Sequence, residues 1–219
     1  YGIAARNPKA RLLKIIDALP VFRRWQKRLK KEALTRSIAI IDKLGISDPA
    51  AVVDAYPHNL SGGMKQRIVI AIALACSPLL LIADEATSNL DVTIQAQILE
   101  LLKELKQTEI SSVLLITHDL GVVAESAARV VVMYAGKVME EADVDTLFAK
   151  PKHPYTVGLM SSIPVLGQQE KRRRLSTIPG VVPSLFRLSE GCLFHERCSE
   201  AREECRQIEP SIITLGNGH

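Results

Sequence analysis

The chain has 219 residues, of which 47% are hydrophobic and only 4% aromatic. This length is enough for one sizeable domain, or one domain with an appendage, and its core should consist mainly of aliphatic side chains. A solvated surface explains the mild formal charge of +4, although phosphate ligands or an anionic membrane surface would also fit it.

Three classes of protein are disfavoured by the pattern of residues. The longest apolar stretch, Ile68–Ala83, is interrupted by Ser77-Pro78 and is too short to span a bilayer. The first ten residues carry charge and a proline, which argues against a secretory leader. The four cysteines are therefore expected to be thiols or metal ligands rather than a disulfide scaffold.

The first region, residues 1–78, is predicted to be mainly helical. Residues Glu32–Leu44 have helical periodicity, and Gly45 is a plausible helix stop. The basic run Arg23–Lys31 could bind nucleic acid, but a solvated helix face is favoured because Trp25 is its only aromatic residue.

A second helix is predicted from Ser61 to about Cys76, and Cys76 is expected to lie in the core. Serine is a good N-cap, and Gly62-Gly63 leaves the first backbone N–H groups unobstructed. Such a helix start can bind an anion, because its free N–H groups and its dipole point the same way. The alternative is an ordinary capped helix.

The second region, residues 79–150, begins with an aliphatic run that ends in two carboxylates, Asp84 and Glu85. The run predicts a strand that is buried on both faces of a parallel sheet, with the acids at the edge where such sheets bind ligands. Two acids there suit a hydrated Mg²⁺ beside a nucleotide, although a solvated acidic turn would give the same residues. The further predicted elements are a helix, a strand, a hairpin and a short helix, namely Val92–Lys106, Val113–Thr117, Val130–Tyr134 with Val138–Glu140, and a helix starting at Asp145.

Four motifs in register resemble those of the nucleotide-binding subunits of ABC transporters. Leu60–Arg67 is similar to their signature motif, Leu79–Glu85 to their Walker B motif, Ser88–Asp91 to their D-loop, and His118 to their switch histidine. The resemblance extends from about Asp42 to the C-terminus. The third region, residues 151–219, has a proline-punctuated segment and three cysteines, and it resembles the extension of the dipeptide/oligopeptide importer ATPases.

The resemblance implies an α/β fold with a P-loop NTPase-like parallel sheet core, incomplete at the N-terminus. Residues 1–78 would be the helical subdomain, 79–150 the C-terminal half of the nucleotide-binding core, and 151–219 a C-terminal extension. It also implies that Glu85 is the general base, that His118 is catalytic beside the γ-phosphate, and that Asp84 holds Mg²⁺. The residues expected to contact ATP or to shape the dimer interface around it are Leu60, Ser61, Gly62, Gly63, Gln66 and Asp91.

A P-loop is absent from this sequence. No Gly-x-x-x-x-Gly-Lys-Ser/Thr occurs, and the single Gly-Lys pair, Gly136-Lys137, is followed by valine. The simplest hypothesis is that the chain is the C-terminal part of a longer ATPase, and we predict that the chain alone does not bind ATP tightly.

The cysteines at positions 192, 198 and 205 leave three interpretations open. In the family resembled, some members carry a fourth cysteine and bind a 4Fe-4S cluster, and Cys192, Cys198 and Cys205 would be three of its ligands. Alternatively, His195 or His219 could complete a zinc site, or no metal binds.

The function implied is the ATPase subunit of an importer for dipeptides or oligopeptides, working as a head-to-tail homodimer or heterodimer with ATP at the interface. Its expected partners are transmembrane permease subunits, a second ATPase subunit and, indirectly, an extracytoplasmic solute-binding protein, with no nucleic acid. The expected location is peripheral, on the cytoplasmic face of the cell membrane. Two alternatives remain: a non-catalytic regulatory module without a P-loop, and a soluble ABC ATPase acting on nucleic acid or ribosomes.

Overall fold

The computed structural model describes residues 20–88, 90–163, 177–184, 186, 190–216 and 218–219, with side chains from residue 24 onward. Contacts between backbone positions divide the chain into two compact units, the first ending at Ile116 and the second beginning at Thr117. This division falls at neither of the two predicted boundaries, and the three-region organisation stays a prediction. Each unit is described by itself below.

The first unit alternates helices with two short strands. In chain order its elements are α1 Pro20–Lys43, α2 Pro49–Val53, a 3-10 turn Pro57–Asn59, α3 Gly62–Leu74, β1 Leu80–Asp84, α4 Val92–Thr108 and β2 Ser112–Ile116. The predicted succession of helix, strand, helix and strand after Ser61 is confirmed, with ends that differ by one or two residues. No helix in the described ranges combines the length and the apolar character that crossing a bilayer requires.

Local chemistry explains where these helices stop and start. Gly45 follows α1 with a positive φ of 68°, and its N–H donates to the carbonyl of Asp42 at 2.9 Å, which ends the helix as predicted. Asp48 caps α2 by accepting from the N–H of Ala51 at 3.2 Å. The helix α3 ends at Leu74, so Cys76 lies beyond it and is exposed. The prediction of a core cysteine was therefore wrong, because the chain turns away before that position.

The two strands of the first unit pair in parallel, from Leu80 opposite Ser112 to Asp84 opposite Ile116. The prediction that β1 is buried on both faces was wrong: Leu81 and Ala83 are buried, whereas Leu80 and Ile82 are 50% and 58% exposed. The physical reason is that the described helices pack on one face of this pair, so alternate side chains face outward.

The core of the first unit is a single aliphatic cluster. The helix α4 contributes one buried stripe to it, with the period expected for a helix that packs on one side. The buried members from this helix are Ile98, Leu101, Leu102 and Leu105. They meet residues such as Ile41 and Ile70 from α1 and α3, together with Leu81 from β1.

The second unit is built around an antiparallel hairpin. Its elements are α5 Leu120–Ser126, β3 Arg129–Tyr134, β4 Lys137–Asp143, α6 Val144–Ala149, α7 Pro154–Ser161 and the 3-10 turns His195–Arg197 and Glu203–Arg206. The hairpin is confirmed, and its strands join through Ala135-Gly136, which both have positive φ, 48° and 84°. Two consecutive residues with positive φ form a tight turn whose twist matches the right-handed twist of the two paired strands.

An aromatic cluster joins the hairpin to the C-terminal part of the second unit. Phe194 is 2% exposed and packs edge-on against Tyr134 with ring centroids 5.3 Å apart, and Tyr155 lies 5.3 Å from the same phenyl ring. Arg197 lies over the Tyr134 ring at 5.7 Å and donates to the carbonyl of Pro179 at 2.8 Å. The proline-punctuated segment is thereby fixed to the hairpin.

A buried carboxylate organises the same unit. The oxygens of Glu140 accept hydrogen bonds from the backbone N–H groups of Lys152 and His153 at 2.7 and 2.9 Å, and one lies 2.7 Å from Nε2 of His219. Burial acts to raise the pKa of Glu140, but the hydrogen bonds to its carboxylate outweigh burial, and the pKa lies below its usual value. The anion is therefore the stable form of this side chain.

Candidate functional site

The two predicted acids lie at the carboxyl end of the parallel strand pair. Asp84 is the last residue of β1 and pairs in register with Ile116, the last residue of β2. The N–H of Glu85 donates to the carbonyl of Ile116 at 2.9 Å, which anchors the residue after β1 to the neighbouring strand. Both carboxylates are exposed at this edge.

The loop after β1 holds Glu85 in an unusual backbone conformation. Its φ is +45°, a region that residues other than glycine rarely adopt. Ser88 stabilises this turn twice, because its N–H donates to the carbonyl of Glu85 at 3.0 Å and its Oγ donates to Oε2 of Glu85 at 3.0 Å. The Ser88 contact was not predicted, although a serine three residues after an acid in a loop is a signal that could have suggested it.

The start of α3 has the predicted capped geometry. Oγ of Ser61 accepts from the N–H of Met64 at 3.2 Å, and the backbone of Ser61 is extended. Ser61 and Gly62 are exposed, while Gly63 is half-buried. A methyl group at Gly63 would lie 3.0 Å from Cγ2 of Ile94, so the absence of a side chain lets the helix start approach α4 closely.

The other predicted residues of the signature segment flank this helix start. Leu60 and Gln66 are half-buried, and Leu60 packs against the aliphatic core of the first unit. Arg67, one residue later, was not predicted to have a role. It donates to the carbonyl of Leu44 and lies 3.5 Å from Oε1 of Gln97, so it braces α3 against the end of α1 and against α4.

Asp91 begins α4 and is exposed. Its Oδ1 accepts from the N–H of Ile94 at 2.9 Å, which is the geometry of an N-cap. The preceding Leu90 links this loop to the start of α3, because a methyl group at Gly62 would lie 3.6 Å from its Cδ2. The carboxylate of Asp91 thus has a structural role within the unit, and its predicted contribution to an interface remains untested.

His118 belongs to the second unit and is exposed. It stands two residues after Ile116 in the chain and one before Asp119, whose Oδ1 caps α5 by accepting from the N–H groups of Gly121 and Val122 at 2.9 and 3.3 Å. The N–H of Asp119 donates to Oγ1 of Thr117 at 3.1 Å. The backbone on the C-terminal side of His118 is therefore well fixed.

The three C-terminal cysteines lie in one short, turn-rich part of the second unit. The N–H of Cys192 donates to the carbonyl of Cys205 at 2.8 Å. Burial raises the pKa of the Cys198 thiol, and the proximity of Cys192 and Cys205 raises it further. Among the described residues, no group of three or more His, Cys, Asp or Glu side chains is arranged to hold a metal ion.

The carboxylates at the strand edge do fit a divalent cation. Mg²⁺ prefers oxygen ligands and keeps several waters, so an exposed Asp84 beside a second acid offers a suitable partner. The capped N-terminus of α3, a helix of 13 residues, offers N–H groups and a dipole to an anion. The first unit therefore has one candidate cation site at the strand edge and one candidate anion site at the start of α3.

Two family models match the sequence. The ABC transporter family matches residues 6–88, which include the start of α3 and the two acids. The model called oligopeptide/dipeptide transporter, C-terminal region, matches residues 139–205, which include all three C-terminal cysteines.

Curated relatives agree with both models. The dipeptide transport ATP-binding protein DppD of Haemophilus influenzae is 48% identical over 203 residues, which are 93% of this chain and 60% of that protein. DppD of Escherichia coli is 48% identical over 204 residues, with 93% and 61% covered. The oligopeptide transport ATP-binding protein AppD of Bacillus subtilis is 53% identical over 190 residues, with 86% and 57% covered. The chain thus spans about 60% of the length of the relatives it matches.

The fold has a counterpart among solved structures. MJ1267, an ATP-binding cassette of an ABC transporter, superposes with a TM-score of 0.50 and 23% identity, covering 58% of this chain and 49% of that chain. This likeness supports the α/β cassette fold predicted from the sequence. The chain belongs to the family of ABC transporter ATP-binding proteins, in the group that carries the oligopeptide/dipeptide transporter C-terminal region.

Proposed function

We propose that this chain belongs to the ATP-binding and ATP-hydrolysing subunit of an ABC importer for dipeptides or oligopeptides. The observation that carries the proposal is the edge of the parallel strand pair, where Asp84 and Glu85 lie together and Glu85 is anchored to Ile116. The names of the relatives, which are dipeptide and oligopeptide transport proteins, support the solute class. The activity is proposed for the complete protein.

Asp84 is proposed to hold Mg²⁺ through water, and Glu85 is proposed to act as the general base. When bound, Mg²⁺ neutralises charge on the phosphates. Glu85 would accept a proton from the attacking water at its carboxylate, and the hydrogen bond from Ser88 orients that carboxylate. His118 is proposed as the second catalytic side chain, beside the γ-phosphate.

The start of α3 is proposed to contact ATP that is held by a second subunit. Ser61, Gly62 and Gly63 present a helix N-terminus, with Leu60 and Gln66 beside it. Two subunits arranged head to tail would then enclose two nucleotides. Asp91 is proposed to lie at that interface, in addition to capping α4.

The partners proposed are transmembrane permease subunits, a second ATPase subunit that makes a homodimer or heterodimer, and, indirectly, an extracytoplasmic solute-binding protein. The protein would be peripheral, on the cytoplasmic face of the membrane. No nucleic acid is expected as a partner.

The 4Fe-4S cluster remains a separate hypothesis for the complete protein. Cys192, Cys198 and Cys205 would supply three thiolates, and a cluster normally needs four ligands. Iron and acid-labile sulfide analysis of anaerobically purified complete protein tests it. Colourless protein without iron would exclude the cluster and leave the ATPase proposal intact.

The decisive test of the function is Glu85→Gln in the complete protein. We expect ATP to remain bound while turnover falls by at least about 10²-fold, because the substitution removes the proton acceptor but keeps the shape. Glu104→Gln is the matched control, since Glu104 is an exposed acid on α4, and it should retain normal turnover. Near-normal ATPase rates for the Glu85 variant would remove this residue from the role of base.

The missing P-loop gives a second test. Without the loop that cradles the phosphates, the 219-residue chain should bind ATP weakly. Isothermal titration calorimetry measures this directly, and micromolar affinity of the isolated chain would refute the expectation.

A further inference from the structure

The first half of α1 carries four cations on one face. Arg24, Lys27, Arg28 and Lys31 are separated by three or four residues, the spacing that places side chains on the same side of a helix. All four are exposed. They form a row that covers two helical turns, which we call the basic row.

The basic row differs from the cations farther along the same helix. Arg36 pairs with Glu32 at 2.6 Å, and Lys43 pairs with Glu109 of α4 at 2.7 Å. In the described part of the chain, no carboxylate forms an ion pair with any member of the basic row. The positive charge of these four side chains is therefore not neutralised within the described protein.

The arrangement works against the stability of the helix itself. Arg24 and Arg28, and likewise Lys27 and Lys31, are like charges one turn apart, a spacing at which they repel. The first turn of α1 contains no acidic residue that would favour the helix dipole. Contact with an external anionic surface would reduce the repulsion among the cations of the basic row.

A second face of the same two turns is apolar and exposed. Trp25 and Leu29 lie one turn apart on it, and they are 54% and 46% exposed. A tryptophan and a leucine beside a row of lysines and arginines are the composition of helices that lie in a membrane interface. Tryptophan is stabilised there because one part of its ring is apolar and another can donate a hydrogen bond.

We propose that the first half of α1 docks on an anionic phospholipid surface. The basic row would lie among the phosphate and carboxylate headgroups, and Trp25 and Leu29 would enter the boundary between the headgroups and the acyl chains. A bilayer offers charged headgroups to the basic row and an apolar boundary to Trp25 and Leu29. Single-stranded nucleic acid instead needs several aromatic stacking positions, and the stretch from Arg24 to Lys31 has one. The proposal goes beyond ATP hydrolysis and does not depend on it.

Vesicle binding of the purified 219-residue chain tests the proposal. Trp25 is the single tryptophan of the chain, so its emission reports directly on this helix. With phosphatidylserine-rich vesicles at low salt, we expect co-sedimentation, a blue shift of the emission and quenching by brominated acyl chains. With pure phosphatidylcholine vesicles, or at high salt, binding should weaken strongly because screening removes the electrostatic attraction.

The variant that tests the basic row is Arg24→Gln, Lys27→Gln, Arg28→Gln and Lys31→Gln together. Each cation near an anionic surface contributes about fivefold to binding, so the partition coefficient should fall by roughly two to three orders of magnitude. The matched control removes four exposed cations elsewhere: Lys103→Gln, Lys106→Gln, Arg202→Gln and Arg206→Gln. This control variant has the same net charge as the test variant, and it should keep most of the binding to anionic vesicles.

Three results would overturn the proposal. These are equal binding to neutral and anionic vesicles, equal loss in the test and control variants, and tighter binding to a single-stranded oligonucleotide than to vesicles at the same salt. If circular dichroism shows that the fourfold variant has lost helix, the pair Arg24→Gln and Arg28→Gln replaces it, with about a 25-fold loss expected. Trp25→Phe verifies the probe, because its co-sedimentation should persist while the tryptophan emission disappears.

Discussion

The two units of this chain add different chemistry to an aliphatic core. The first unit has one aliphatic cluster, formed by side chains that recur with helical or strand periodicity. The second unit also has an aliphatic cluster, which includes Val132 and Leu147, but it adds the aromatic rings around Phe194 and the buried carboxylate of Glu140, which has a hydrogen-bonding partner as distant as His219. The comparison teaches that a repeated apolar pattern can organise one half of a chain, whereas a few long-range contacts supplement that pattern in the other.

The largest expected effect is that of Phe194→Ala. We expect a loss of about 3–5 kcal/mol in the free energy of unfolding of the second unit, because a fully buried ring leaves a cavity between Tyr134 and Tyr155. Hydrogen exchange followed by mass spectrometry should show faster exchange in β3, β4 and α7. Ile98→Ala is the matched variant in the first unit, and it should accelerate exchange in α4 instead. If both variants affect the same peptides, the two cores are not separate.

The next largest effect is expected for Glu140→Ala, which should lower the free energy of unfolding of the second unit by about 3 kcal/mol. The substitution leaves the N–H groups of Lys152 and His153 without their acceptor. Glu140→Gln keeps the shape and should cost less. Urea denaturation of both variants measures the difference, and equal stability of wild type and Glu140→Ala would show that the buried carboxylate does not organise this unit.

The same residues predict acid sensitivity of the second unit. The pKa of Glu140 is lowered in the folded state, so its contribution is present above the usual glutamate pKa and is lost as the pH falls through the lowered value. Burial lowers the pKa of His153, although the charge of Glu140 opposes this, so protonation of His153 below its usual pKa also favours unfolding. Stability should fall in two stages on acidification. His153→Gln should remove the first stage and Glu140→Gln the second, and unchanged acid profiles would contradict both assignments.

A smaller effect is expected for Ser61→Ala, which should lower the free energy of unfolding by about 1 kcal/mol because it removes the N-cap of α3. Ser61→Asn should restore most of this stability, since asparagine caps equally well. Thermal unfolding of the two variants provides the measurement. A loss that asparagine does not restore would indicate that the serine hydroxyl has a role other than capping.

Much of the first unit could be predicted because its signals are local. Ser61 before Gly62-Gly63 indicated the start of α3, and Gly45 indicated the end of α1. The acids at the end of β1 were expected at a sheet edge, and the pairing of Asp84 with Ile116 confirms the parallel pair. Such features depend on capping, turn preference and periodicity within a few residues.

The remaining features could not be predicted because they depend on contacts between distant residues. Nothing near Glu140 in the sequence indicates that Lys152, His153 and His219 surround it. The outward faces of Leu80 and Ile82 likewise depend on which elements cover the strands, and a continuous apolar run does not reveal this. The assignment of Cys76 to the core failed for the same reason. Its neighbours in the sequence are apolar, but in the folded unit this cysteine is exposed.

The left-handed backbone of Glu85 has a consequence for protein engineering. A residue with a side chain stores free energy in that conformation, on the order of 1 kcal/mol, whereas glycine adopts it readily. A library at position 85 that is selected only for thermal resistance should therefore enrich glycine or asparagine. The most heat-resistant clones would then be those that have lost the proposed proton acceptor, so selection at this position needs an activity screen alongside the heat challenge.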